Sequence, residues 1–210
     1  MVLPVGPAKT PTRFVAVGHG PRQVTFLSIN VYTIALYIPD TPAARAALAA
    51  ACSDSAASLD RLATDPATRD LVLYLTPARA TTAAHLRDGF VRTFMDAVSR
   101  ATGAAAVKAG TIAAADAVAT RDRMLSDIDR FKTEFPPSAV DKGHVYLFRR
   151  PAGSEGLEIS LHGKTVGTIQ SEWMAAALST AYLRADKPLS PKLRESIVQF
   201  PSPAAIKEGM

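Results

Sequence analysis

The sequence predicts an α+β fold in which a large antiparallel sheet is covered by a layer of helices. Two kinds of segment and their order lead there. Residues 13–38 and 144–170 hold short runs rich in Val, Ile, Leu, Phe, Tyr and Thr, punctuated by Gly and Pro, as half-buried strands require. The stretches between and after them repeat apolar residues every three or four positions, as amphipathic helices do. The order along the chain is strands, helices, one strand, helices, strands, helices.

Residues 1–12 carry three prolines and small side chains and are expected to be a flexible leader. "RFVAV", "QVTFL" and "NVYTIALYI" read as two or three antiparallel strands, with turns at Gly18–Pro21 and at Ser28–Asn30. From Thr41, "TPAARAALAAACSD" is a helix with Thr41 as its cap and Pro42 in the first turn, and "SAASLDRLA" is a second, short one. "DLVLYLTPAR" is a strand. In "TTAAHLRDGFVRTFMDAVSRATG" the apolar Leu86, Phe90, Phe94 and Val98 recur at helical spacing until Gly103. A further helix is expected from about Thr111 to Phe135, with Ile112, Met124, Ile128 and Phe131 on its apolar face, stopped by "EFPPSA". "HVYLFRRP", "GLEISLHG" and "KTVGTIQ" form a three-strand meander. "SEWMAAALSTAYLR" is a helix opened by a Ser cap, with Trp173 packing it onto the sheet, and "SPKLRESIVQF" is a last short one. One domain over residues 13–200 is expected, with 201–210 as a tail.

Composition narrows the function. Of 210 residues, 48% are apolar and 20% charged, as in an ordinary globular domain. The net charge of +5 comes from Lys and Arg scattered among Asp and Glu, and no zinc-finger spacing or basic aromatic strand is present, so a nucleic-acid partner is not expected. The single cysteine, Cys52, sits among alanines and reads as a packed small side chain. No apolar run approaches the roughly 18 residues of a transmembrane helix, and no targeting segment is visible.

One residue asks for a chemical explanation. Between Arg13 and Asp40 the strand-forming run carries a single charge, Arg22, behind "GHGP". A guanidinium at a half-buried strand position is costly unless something polar or anionic meets it. Either the protein supplies that partner or a ligand does. Tyr32, on the neighbouring strand, is placed to reach the same point, and Tyr37, of opposite parity, should face the other side of the sheet.

"GHGPR", "VYTIALYI", "HLRDGFVR" and the block "FPPSAVDKGHVYLFRRPAGSEGLEISLHGKTVGTIQSEWMAAALSTAYL" resemble the chalcone isomerase superfamily over residues 13–200. "HLRDGFVR" and "FLSINVYTIALYI" are most similar to its fungal mitochondrial members, the altered-inheritance-of-mitochondria group. The resemblance implies an open-faced β-sandwich with a ligand cleft between sheet and helices, and a mitochondrial location.

It also implies two chemistries. In the plant isomerases an arginine holds a phenolate and stabilises the enolate that forms as the ring closes, and Arg22 matches it. The other enzyme positions do not carry over: the threonine falls at Tyr32 and Thr33, the water-positioning tyrosine near His85, the asparagine near Arg92, and the late-helix hydroxyl near Ala175 or Ala176. In the non-catalytic branch an arginine and a tyrosine on adjacent strands hold a fatty-acid carboxylate, and Arg22 and Tyr32 match these, with a shorter spacing that needs a tighter turn. The fungal members imply haem as an alternative guest, with His85 as candidate iron ligand.

The expectation is therefore a non-catalytic or weakly catalytic protein binding a hydrophobic carboxylate. Arg22, Tyr32, Thr33, His85, Arg79 and Arg92 are the candidate ligand-binding residues. A chalcone–flavanone isomerase using Arg22 is the alternative, and a helper protein with a vestigial cleft is a third reading. His19 could line the cleft mouth, and His144 and His162 have ordinary strand or turn positions. Arg87 and Asp88, adjacent on a helix, should serve different partners. Gly89 inside a helix costs about 1 kcal/mol relative to alanine, which close approach of a strand or ligand would explain.

Overall fold

The computed structural model describes residues 12–24, 29–53, 56–137, 140–151, 154 and 156–200. The expected leader, apart from Thr12, and the expected tail lie outside the described residues, as does Ser28 of the expected second turn. Among the described residues six strands form one antiparallel sheet in sequence order: β1 (Phe14–Val24), β2 (Ile29–Pro39), β3 (Val72–Pro77), β4 (Tyr146–Arg149), β5 (Leu157–Leu161) and β6 (Lys164–Ile169). The helices are α1 (Pro42–Ser53), α2 (Ala83–Thr102), α3 (Ala104–Lys108), α4 (Ala114–Glu134), α5 (Glu172–Leu183) and α6 (Pro191–Val198), with a 3-10 helix over Ala56–Ala63. Among the described residues no helix is long and apolar enough to cross a membrane.

Alternation along the strands gives the sheet two unlike faces. Tyr32, Ile34, Leu36 and Ile38 of β2 join Leu73, Leu75, Tyr146, Phe148, Leu157 and Ile159 beneath the helices. Those helices contribute Leu48, Phe90, Phe94, Met124, Phe131, Leu178, Tyr182 and Leu193 to the same core. A smaller cluster of Phe14, Val72 and Leu147, with Tyr37 and Tyr74 beside it, lies on the opposite face. Tyr37 thus sits apart from Tyr32, as its parity requires. On that second face Asp70 accepts from Arg149 Nε at 2.6 Å and Nη2 at 2.8 Å, and the Arg149 guanidinium lies 5.4 Å from the centre of the Phe14 ring.

The long helices follow their apolar spacing. Leu86, Phe90, Phe94 and Val98 of α2 are all buried, its first turn is capped by Thr82 accepting from His85 N, and Gly103 ends it. The helix expected from Thr111 begins at Ala114, and Gly110, at a positive φ of 72°, follows the end of the short α3 that precedes it. Thr41 caps α1 by accepting from Ala44 N at 3.1 Å. Ser171 stands at the start of α5 but caps nothing; its hydroxyl donates to the buried Asp127 of α4. Trp173 donates to the same carboxylate and packs edge-on to Phe94 of α2, so it joins helices to one another. Cys52 is half-buried, and burial raises its thiol pKa, as befits a packed side chain.

The expected turn at Gly18–Pro21 does not form. β1 runs unbroken from Phe14 to Val24, and Gly20 and Pro21 pair with Ile34 and Thr33 of β2. The glycines serve a different need, because α6 lies directly on them. A Cβ on Gly18 would stand 2.5 Å from Ile197 Cγ1, and one on Gly20 2.4 Å from Leu193 N. α6 also covers the edge of the sheet, with His19 N donating to Ser196 Oγ and Ser190 Oγ donating to Pro21 O. Gly20→Ala is therefore expected to destabilise the fold by about 1–3 kcal/mol through overpacking. Urea unfolding would read this, and an unchanged midpoint would mean that α6 gives way freely.

Candidate functional site

The strand pairing brings the two leading candidates together. Arg22 of β1 is directly opposite Tyr32 of β2, so both side chains leave the sheet on its helix-covered face. The ladder is irregular immediately after this pair, between Arg22 and Gln23. Arg22 Nη1 donates to Leu189 O at 2.9 Å and Gln23 O at 3.2 Å. Main-chain oxygens thus anchor one terminal nitrogen of the guanidinium, while among the described residues no aspartate or glutamate forms an ion pair with it.

Beside this pair lies a cleft of about 420 Å³ between the β1–β2 pair and one side of α2. Val24, Val31, Leu86, Phe90 and Leu189 supply apolar walls, and Arg22, Tyr32, His85, Arg92, Asp96 and Arg184 supply the polar groups. α2 presents His85, Gly89, Arg92, Thr93 and Asp96 at spacings of three and four, a polar stripe next to its buried one. His85 and Arg92 are exposed. Arg184 Nη1 donates to Asp96 Oδ2 at 2.7 Å, and this bond, assisted by Arg100, pulls the Asp96 pKa below its ordinary value. Of three arginines on the cleft, one is therefore matched by the cleft's own aspartate.

Thr33 and Arg79 do not reach the cleft. Thr33 follows Tyr32 by one residue, and the pleat turns it to the opposite, exposed face. Arg79 is exposed in the segment after β3, away from the lining. His19 is not at the mouth either; it pairs with Ala35 on the open side and lines a separate hollow with Tyr37 and Phe200. His144 and His162 meet edge to face, 4.8 Å apart. Among the described residues no group of His, Cys, Asp and Glu is arranged to hold a metal ion. Arg87 bonds Asp88 after all, Nε at 3.2 Å and Nη2 at 3.1 Å, because its long exposed side chain bends back where a short one could not.

Gly89 lines the cleft, and no strand presses on it. A Cβ there would meet only Arg92 Nη2, at 4.0 Å. Gly89→Ala is expected to raise stability by about 1 kcal/mol through helix propensity while adding a methyl group to the cleft wall. Thermal unfolding would check it, and a lower melting temperature would mean that this stretch of helix needs glycine for its backbone.

Sequence reasoning missed the residue behind Tyr32. Tyr32 Oη and Tyr182 Oη are 2.5 Å apart, and Tyr182 is fully buried. Tyr182 follows Ala175 by seven residues, two helical turns along the same face of α5, so the late-helix hydroxyl stands two turns beyond the expected place. Burial raises the pKa of both phenols, and raises Tyr182 well above the ordinary value. For Tyr32 the bond from Tyr182 and the charge of Arg22 oppose the rise. Both hydroxyls are neutral across the physiological range, and next to Arg22 they make a donor-rich corner beside the apolar wall of Val24, Val31, Leu86 and Phe90.

Known proteins agree with this architecture. The family described as chalcone isomerase like matches residues 12–69 and 47–198. No curated protein sequence matches the chain. Among solved structures, the chain is similar to a fatty-acid binding protein from Arabidopsis thaliana, at 15% identity and a TM-score of 0.63, over 92% of this chain and 90% of that one. At that identity the likeness concerns the fold, and it is the expected α+β fold: an open six-stranded antiparallel sheet with helices. With the family match running across residues 12–198, the chain belongs to the chalcone isomerase-like family.

Proposed function

We propose that this protein binds a hydrophobic molecule carrying a carboxylate, with the head group at Arg22 and Tyr32 and the body along Val24, Val31, Leu86 and Phe90. One observation carries the reading: a register-paired arginine and tyrosine stand on an apolar cleft, and among the described residues the guanidinium has no protein carboxylate of its own. Arginine offers a planar fork of donors suited to a carboxylate, and a neutral phenol adds one more. The fatty-acid binding protein that shares the fold supports a fatty acid as the guest.

Haem is the second candidate, and the residues fit it. The exposed His85 imidazole on the cleft wall would ligate iron, and Arg22 and Arg92 would meet the propionates. Bound haem would supply a redox-active iron centre. The sequence likeness to the fungal mitochondrial group supports this guest and a mitochondrial location, which organelle fractionation would check.

An isomerase would need Arg22 to hold a phenolate and another group to handle a proton. Burial keeps Tyr32 and Tyr182 protonated, so neither serves as a base, and the proton would fall to His85 on the cleft wall or to water. Arg22-dependent loss of visible absorbance from a hydroxychalcone would overturn the non-catalytic reading.

Native mass spectrometry and the visible spectrum of the protein purified from its own cells test the proposal. A retained fatty acid, or a Soret band that changes in His85→Ala, is the expected result. A protein that carries neither, and that takes up neither when they are added, would refute it.

A further inference from the structure

The pair Tyr32–Tyr182 has a direction, and the direction selects the guest. Two phenols 2.5 Å apart share one hydrogen bond, so one hydroxyl donates and the other must place its proton elsewhere. Tyr182 is 0% exposed, and among the described residues its hydroxyl meets only Tyr32 Oη. Were Tyr32 the donor, the Tyr182 proton would be buried with no acceptor among the described residues, which carries the full desolvation penalty of an unmade bond. With Tyr182 as donor, the Tyr32 proton is released toward the cleft that Tyr32 lines.

We infer that Tyr182, by donating to Tyr32, leaves the Arg22 and Tyr32 side chains with only donors to offer the guest's head, and so acts as a positioning residue that selects carboxylates over hydroxyl-bearing lipids. The Tyr32 oxygen is occupied by the Tyr182 proton, and Arg22 has only donors to offer. A carboxylate accepts everything presented to it. A fatty alcohol of the same length would accept from Arg22 or Tyr32 but leave its own O–H unpaired, and sites rejecting a guest for that reason do so strongly. This rests on the carboxylate-binding reading above.

Dodecanoate and 1-dodecanol, each displacing a fluorescent fatty acid from the full chain, test it in the wild type, Tyr182→Phe and Arg22→Ala. Removing the Tyr182 hydroxyl frees the Tyr32 oxygen to accept from the alcohol. The preference for acid over alcohol is then expected to fall about tenfold or more, the worth of one hydrogen bond to a charged group, with folding checked by circular dichroism. Binding of dodecanoate that Tyr182→Phe leaves equally selective would overturn the inference while the carboxylate reading stands. Dodecanoate binding indifferent to Arg22→Ala would sink the reading itself. The inference keeps a test that needs no ligand. In the empty protein, NMR with labelled tyrosine rings should find a slowly exchanging hydroxyl proton on Tyr182 and a rapidly exchanging one on Tyr32. The reverse assignment would overturn the direction.

Discussion

Arg22→Ala is expected to weaken binding of a long-chain carboxylate by about 2–5 kcal/mol, because the anion would enter an apolar cleft without its cation. Titration calorimetry with dodecanoate reads the loss directly. The guanidinium is already oriented by Leu189 and Gln23 carbonyls, so little side-chain entropy remains to be lost when a guest arrives. Arg22→Lys separates charge from shape. It keeps the cation but not the fork, so it should recover part of the affinity if carboxylate geometry matters. A loss below about 0.5 kcal/mol in Arg22→Ala would place the head group elsewhere, since buried hydrogen bonds to charged groups exceed that value. Arg92, exposed at the cleft, would then be the next cation to test.

The largest expected effect on folding lies on the other face of the sheet. Asp70→Asn should destabilise by about 3–5 kcal/mol, the usual result of stripping one partner from a buried ion pair. Arg149 and Asp70 are 8% and 9% exposed, their bond is two-pronged, and the arginine is held between β4 and the Phe14 ring. The double change Asp70→Leu with Arg149→Met should recover most of the loss, because it removes both charges together. Chemical denaturation of the two variants separates them. A mild effect of Asp70→Asn would show that water reaches Arg149 once the pair is broken. The cleft, built on the helix-covered face, should keep its guest in the double variant.

Local chemistry explains which features could be read from the sequence. The spacing of Leu86, Phe90, Phe94 and Val98 states which side of α2 is buried, and helices obey such spacing wherever they pack. The Arg22–Tyr32 meeting was legible because adjacent antiparallel strands impose it, and the three-strand meander because each strand is bounded by Gly or Pro. Features decided by distant partners were not legible. Gly18 and Gly20 look like turn residues, yet they answer to a helix more than 170 positions later in the chain. Tyr182 stands in an Ala- and Leu-rich helix where a tyrosine reads as core, and only its tertiary partner reveals the hydroxyl. Thr33 needed strict attention to parity. Asp96 could have been found by extending the His85, Gly89, Arg92 stripe one more turn.

The seat of α6 on the bare backbone of β1 ties the far end of the fold to the cleft. Leu189, whose carbonyl steadies Arg22, immediately precedes the Ser190 that bonds Pro21. A change at Ser190, such as Ser190→Ala, would therefore slacken the guanidinium without altering any residue of the lining, and would masquerade as a lost ligand contact.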